Sequence, residues 1–275
     1  MDIIYNILVA LICLIFGYLI GSISFAIIIG KVFYHQDPRN YGSKNAGGTN
    51  AGRIWGKKVG FLVIVLDMIK TVIPMWICWA ILTYIPFNGQ PLLCSTAEFY
   101  SATRGDYIIQ WPVYLLANLG SVIGHCWPIF SKFKGGKGVS AFMGTILGAS
   151  WGLGWVPALL WYFPCLKKTK YVSFTSMTMT VIASIIAWIW AILTMTNVIS
   201  GSWAYFPFYG PTINCSWHYA LIITIMSILI IYQHRGNIQR LRNGTERKIK
   251  WMGGVKDDPK TPETVPVTEE VNVTK

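Results

Sequence analysis

The chain has 275 residues, 53% of them apolar and only 12% charged, with a net charge of +12. A soluble domain carries about twice that share of charged residues, so a soluble catalytic domain is excluded. The cationic excess reads as Lys and Arg flanking membrane spans, and no nucleic-acid partner is expected.

The first uncharged run, Ile3 to Gly30, exceeds the roughly 20 residues a span needs. No Lys or Arg precedes it, and its apolar part is too long for a cleaved leader. The polar segment that follows, Lys31 to Lys58, sets Lys31, Arg39, Lys44, Arg53, Lys57 and Lys58 against the single acid Asp37. That balance places it in the cytoplasm and the N-terminus outside. A second span, Val59 to Ile85, contains Asp67 and Lys70, three residues apart and so on one helical face. A structural ion pair and support for a nearby site are equally open readings.

Residues 86–106 are nearly charge-balanced, as suits an outer loop, and a third span covers Tyr107 to Ile129. The loop Ser131–Gly138 brings Lys132, Lys134 and Lys137 back inside. Val139 to Leu166 reads as one long helix or as two short ones broken at Trp151–Gly154. Only the broken form keeps Lys167, Lys168 and Lys170 on the cytoplasmic side. Further spans cover Val172 to Ile199 and Trp217 to Tyr232, before a tail with Arg235, Arg240, Arg242, Arg247, Lys248 and Lys250. The expectation is an all-α integral membrane protein of the cell membrane. It has seven transmembrane helices, some of them short, with the N-terminus outside and the C-terminus cytoplasmic. Residues 1–250 form one polytopic domain, and 251–275 a polar, disordered tail.

The six cysteines show no CxxC spacing, so no zinc or redox motif is present. Cys13, Cys78, Cys126 and Cys165 fall in apolar runs and pack there. Cys94 and Cys215 fall in the expected outer loops, where a disulfide persists; two separate thiols is the preferred reading.

Four cytoplasmic segments hold more donors than anchoring requires. Gly42–Arg53 gathers glycines, Ser43, Asn45, Thr49 and Asn50 around Lys44 and Arg53. Glycines let backbone N–H groups approach an anion, and an Arg fork grips a phosphate with two bonds. Lys134-Gly135-Gly136-Lys137-Gly138 opens a span as a glycine turn at a helix N-terminus. It is not a Walker loop, because Gly138 stands where Ser or Thr is required. Lys170-Tyr171-Val172-Ser173 by itself reads as an interfacial anchor. His234–Leu241 with Asn243–Glu246 offers a titratable His, Asn237, two Arg and a carboxylate. No His is followed by Asp five residues later, no GxSxG elbow appears, and no Asp cluster suggests a magnesium site. Neither a metal nor a cofactor is expected.

These segments resemble the bacterial acyl-phosphate:glycerol-3-phosphate acyltransferase family (PlsY), over about residues 17–250. Its GSxNxGxTNxxR pattern is met by Gly42, Ser43, Asn45, Gly47, Thr49, Asn50 and Arg53. Its GHxxPxFxxFKGGKG pattern is met by Gly124, His125, Pro128, Phe130, Phe133 and Lys134–Gly138. The basic-Tyr-Val-Ser element is Lys170–Ser173. HRxNIxRLxxGxE is met by His234, Arg235, Asn237, Ile238, Arg240, Leu241, Gly244 and Glu246. The chain departs in having Lys44 where many members have Gly, Lys170 where they have Arg, longer outer loops and an acidic tail.

The resemblance implies transfer of a fatty acyl group from acyl phosphate to the 1-hydroxyl of sn-glycerol 3-phosphate. The products are 1-acyl-sn-glycerol 3-phosphate and inorganic phosphate, an entry step to membrane phospholipid. Acyl phosphate is already activated, so positioning and charge stabilisation suffice. Ser43, Asn45, Thr49, Asn50, Arg53, Lys137 and Ser173 are placed around the phosphates, with loop-fixing as the alternative for Asn45. His234 and Asn237 are placed nearest the reacting atoms. Gly135, Gly136, Gly138 and Glu246 support them. Expected partners are both substrates and membrane lipid, with a soluble acyl-phosphate synthase as a candidate. A transporter of phosphorylated metabolites is the competing class; it explains spans and basic loops but not a His-x-x-Asn element or motifs confined to one face.

Overall fold

The structure is a computed structural model that describes residues 2–87, 90–91, 112–149, 157–196, 198 and 217–249. In chain order it runs α1 (Asp2–Gly21), α2 (Phe25–Phe33), a 3-10 turn (Pro38–Asn40), α3 (Gly48–Trp55) and α4 (Lys57–Tyr84). A small antiparallel hairpin follows, β1 (Pro86–Phe87) with β2 (Gln90–Pro91). Then come α5 (Leu115–Cys126), a 3-10 turn (Ile129–Ser131) and α6 (Val139–Ala149). A π turn (Ala158–Tyr162) continues as α7 (Phe163–Thr169). The last elements are α8 (Val172–Met195), α9 (Trp217–Gln233) and α10 (Arg235–Arg242). Apart from the hairpin, every regular element among the described residues is helical.

Three helical runs are long and apolar enough to cross a bilayer: 4–33, 57–84 and 172–195. The α9–α10 pair adds a fourth if it is taken as one span bent by 57°. Helices α5 and α6, with 12 and 11 residues, are shorter; at 1.5 Å per residue each covers only about half of the hydrocarbon thickness. Helical segments therefore occur at all seven expected places, while length and apolarity alone carry three or four. The proposed break at 151–154, Cys94, Cys215 and the 251–275 tail lie outside the described residues.

The large apolar side chains on the outside identify the solvent as lipid. Ile4, Leu8, Ile12 and Ile15 of α1 are exposed, as are Phe61, Ile69, Ile73, Ile77 and Ile81 of α4. Lipid offers no hydrophobic force between helices, so close backbone approach and interhelical hydrogen bonds hold them together. Gly17 and Gly21 of α1 face the backbone of Ala117 and Ser121 of α5, and Gly120 and Gly124 face Leu14 and Tyr18 in return. A side chain at any of the four would collide with the partner backbone. Ser121 Oγ donates to Gly17 O at 3.0 Å across this contact. Between α8 and α9, Ser227 Oγ lies 3.0 Å from Thr180 Oγ1, and Trp188 Nε1 donates to Thr224 Oγ1 at 3.0 Å.

Two features depart from the expected first half. The first span is broken at Ser22–Ser24 between α1 and α2, and the first polar segment folds into α3 rather than remaining a loop. Asp67 and Lys70 do meet on one face of α4, with Nζ 2.7 Å from Oδ1 and both side chains buried, a proximity that both readings of the pair require. Lys70 Nζ also donates to Ile23 O at 2.7 Å, satisfying a carbonyl that the break leaves without a helical partner.

Candidate active site

The first loop is organised from within. Asn50, 1% exposed, accepts from Ser43 N at 2.7 Å. Its amide nitrogen faces the carbonyls of Pro38, Tyr41 and Asn45 at 2.8, 3.1 and 3.0 Å. Both amide hydrogens are therefore engaged by the loop itself. Asn50 holds the loop's shape, which displaces the expectation that it faces a phosphate. Asn45 takes part through its backbone carbonyl, in line with its loop-fixing alternative. Gly42 has φ +57°, and a side chain there would run into Asn50 Oδ1. The Ser43 and Thr49 hydroxyls, by contrast, have no partner among the described residues. Nor does the partly buried Arg53 guanidinium carry any hydrogen bond among them.

Arg39 ties this loop to the next. It pairs with Asp37 at 2.6 Å and donates from Nη1 to Ser131 O at 2.8 Å. Ala46 N reaches Gly135 O at 3.4 Å. The second loop lies flat on His125: Gly136 N donates to His125 O at 2.9 Å, and a side chain at Gly136 would strike the imidazole. Gly138, at φ +86°, then turns the chain into α6. Between these glycines stands Lys137, whose Nζ donates to Asn237 Oδ1 at 2.6 Å.

The third side comes from α8 and the chain after α9. The helix axis bends by 57° at His234, so α10 crosses the end of the bundle. Gly244, at φ +68°, reverses the chain, and Ile249 N bonds to Lys170 O at 2.9 Å. This returning segment carries Glu246 inward. Its Oε1 accepts from Ser173 Oγ at 2.7 Å and from Asn237 Nδ2 at 2.6 Å, and its Oε2 from Arg240 Nε at 2.7 Å. One hydrogen-bonded chain therefore runs from Lys137 through Asn237 to Glu246, Ser173 and Arg240.

The electrostatics follow from burial among cations. Burial pushes the Lys137 ammonium down to about 8; Glu246 opposes the shift, while Arg240 and Arg53 add to it. Burial lowers the Arg53 guanidinium too, with Arg247 adding repulsion. Burial raises the Glu246 carboxyl, but hydrogen bonds from Ser173, Asn237 and Arg240 outweigh it and hold it below the usual range. His234, 3% exposed, is pushed down to about 4 by burial first and then by Lys137. Its Nδ1 sits 2.8 Å from Ile230 O. A carbonyl only accepts, so Nδ1 carries the proton and Nε2 is the acceptor.

The structure thus brings Lys137, Ser173, His234, Asn237, Glu246 and Arg53 into one electrostatic neighbourhood. Thr49 precedes Arg53 by four residues on α3 and so shares its face, and Ser43 is tied to the same helix through its N–H to Asn50 Oδ1. Sequence reasoning did not select Arg240, Arg247 or His125. Arg240 was legible: it stands three residues after Asn237 on α10 and so on the same face. One carboxylate among Arg53, Lys137, Arg240 and Arg247 leaves a net positive site with free hydroxyl donors, suited to phosphate.

Residues 11–244 match the glycerol-3-phosphate acyltransferase family model. A glycerol-3-phosphate acyltransferase of Mycoplasmopsis synoviae (strain 53) is 34% identical over 252 residues, covering 91% of this chain and 99% of that protein. One from Listeria monocytogenes serotype 4a (strain HCC23) is 33% identical, covering 86% and 94%. Crystal structures of PlsY (YgiH), an integral membrane glycerol 3-phosphate acyltransferase, are similar in fold. Its glycerol 3-phosphate form has a TM-score of 0.62 at 32% identity, covering 87% of this chain and 95% of that one. Its lysophosphatidic acid form has a TM-score of 0.60 at 31% identity. The chain, an integral membrane protein, belongs to the glycerol-3-phosphate acyltransferase family.

Proposed function

We propose that this protein transfers a fatty acyl group from acyl phosphate to the 1-hydroxyl of sn-glycerol 3-phosphate, releasing 1-acyl-sn-glycerol 3-phosphate and inorganic phosphate. The observation that carries this reading is the convergence of Arg53, Lys137 and Ser173 around the Asn237–Glu246 link, beside a neutral His234. The hydroxyl oxygen attacks the acyl carbonyl carbon, an oxyanion forms, and the carbon–oxygen bond to phosphate breaks. Arg53 and Lys137 neutralise phosphate charge, with the Ser43 and Thr49 hydroxyls as neutral donors, while Ser173, whose one proton goes to Glu246 Oε1, orients that carboxylate. His234 Nε2 accepts the hydroxyl hydrogen bond and orients the nucleophile. With its basicity lowered to about 4, His234 is a weaker base than a phosphate dianion, so the released phosphate is the better final home for the proton. The decisive experiment supplies purified protein with acyl phosphate and labelled glycerol 3-phosphate. Lysophosphatidate should form without any thioester donor; product formed only from an acyl thioester would overturn the donor assignment.

Lys137 also sets a pH dependence. Its ammonium is needed charged and loses its proton as pH rises through about 8. The kcat/KM for glycerol 3-phosphate should therefore fall on the alkaline side with an apparent pKa near 8, since this ratio reports the free enzyme. Lys137→Arg should remove that limb, because the guanidinium stays charged. An unchanged alkaline limb in Lys137→Arg would assign the titration elsewhere.

The reading includes seven spans, the N-terminus outside, and all four motif segments in the cytoplasm. It is supported by the cation distribution and by helices at each of the seven places. Single cysteines placed at 44, 134, 168 and 244, in a background lacking native thiols, should resist an impermeant thiol reagent in intact cells. Labelling at 168 from outside would overturn the seven-span arrangement.

A further inference from the structure

Beneath the glycine loop lies a charged cluster that the acyl-transfer chemistry does not use. Asp67, Lys70 and His125 are 1%, 3% and 5% exposed. Lys70 Nζ approaches Asp67 Oδ1 to 2.7 Å, off the hydrogen-bonding direction, and His125 Nδ1 lies 3.5 Å from the same oxygen. Asp67 Oδ2 has no hydrogen-bond partner among the described residues. Burying ions at membrane depth is unfavourable by several kcal/mol, and stitching α4 to the Ser22–Ser24 break needs only Lys70. What Asp67 adds is its contact with His125. The His125 carbonyl receives Gly136 N at 2.9 Å, and its ring lies where a Gly136 side chain would stand. Gly136 immediately precedes Lys137, whose Nζ sits 2.6 Å from Asn237 Oδ1. An unbroken series of contacts thus leads from a carboxylate inside the membrane to the ammonium in the phosphate site.

We propose that Asp67 is a positioning residue: by holding the His125 ring under Gly136, it sets the height of the glycine loop and so the placement of Lys137. The kinetic part of this inference rests on the proposed acyl transfer; the structural part does not. A displacement of about 1 Å in a phosphate-gripping group lowers turnover about 10- to 100-fold, so Asp67→Asn should lower kcat/KM within that range. The effect should run through Lys137. In a Lys137→Ala background, Asp67→Asn should remove less than about threefold more, because coupled residues are not additive.

His125 supplies a second test. His125→Asn, whose amide nitrogen falls near the Nδ1 position, keeps a donor toward Asp67 and should retain more activity than His125→Gln, whose amide falls near Nε2. A third test needs no activity. On the full-length protein in detergent, an amine-reactive reagent with mass-spectrometric readout should label Lys137 several-fold faster in Asp67→Asn than in wild type. Exposed Lys57 should react at the same rate in both.

Asp67→Asn leaves Lys70 uncompensated, so the charge-neutral Asp67→Asn/Lys70→Gln variant is measured alongside and should show the same two changes. Multiplicative effects with Lys137→Ala, together with unchanged Lys137 labelling in folded protein, would make the cluster a structural ion pair and overturn the proposal. So would failure of both Asp67 variants to yield monodisperse protein while His125→Gln is folded and normal in labelling. Absence of acyl transfer in the wild type would instead overturn the functional reading, and the labelling would still decide the positioning role.

Discussion

Arg53→Ala and Lys137→Ala should each lower kcat/KM by roughly a thousandfold, the loss expected when a preorganised donor to developing charge is removed from a water-poor site. The two cations are expected to differ in kind. Arg53 carries no hydrogen bond among the described residues, so its whole planar fork is open for phosphate. Lysine cannot reproduce two parallel bonds, and Arg53→Lys should be nearly as damaging as Arg53→Ala. Lys137 acts more as a point charge, already held by Asn237 at 2.6 Å. Lys137→Arg should therefore retain partial activity. If either group stabilises charge only as transfer proceeds, kcat falls along with a rise in KM. A merely topological role makes a different forecast: misoriented or unstable protein, with normal turnover per folded molecule. Kinetics on purified, monodisperse variants with both substrates varied will distinguish them. Wild-type kcat/KM in the two Ala variants would remove both residues from the site.

The second large effect is expected at Asn237. Its side chain accepts from Lys137 and donates to Glu246, so it joins a cation to an anion without adding charge. Asn237→Ala breaks the link at both ends and should lower kcat/KM by about 100-fold, in the range for a buried polar group whose partners are left unsatisfied. Asn237→Asp keeps size and shape but places a second carboxylate against Glu246, where the present contact is 2.6 Å. Like charges at that separation repel, and the donor has become an acceptor. The Asp variant should be at least as inactive as the Ala variant and should unfold at a lower temperature in detergent. An Asp variant more active than the Ala variant would show that the donation to Glu246 is not what the site requires.

The sequence by itself determined the local features. Uncharged runs forced helices, because lipid leaves no other way to satisfy the backbone. Spacing of three residues put Asp67 and Lys70 on one helical face, and they pair at 2.7 Å. Glycine runs marked where the chain turns closely, as at Gly42 and Gly136. Contacts between distant segments were decided only by the tertiary structure. Lys137 and Asn237 are 100 residues apart, and Ser173 and Glu246 are 73 apart. Their meeting depends on how closely α1, α4, α5, α8 and α9 approach, which small residues at the contacts permit. The same packing turned Asn50 inward to fix a loop, broke the first span so that Ile23 O meets Lys70, and set His125 between Asp67 and the glycine loop. A motif names the residue types a phosphate needs. Which of them face the phosphate and which hold the others in place depends on whose hydrogen bonds are already satisfied, and that is a property of the assembled bundle.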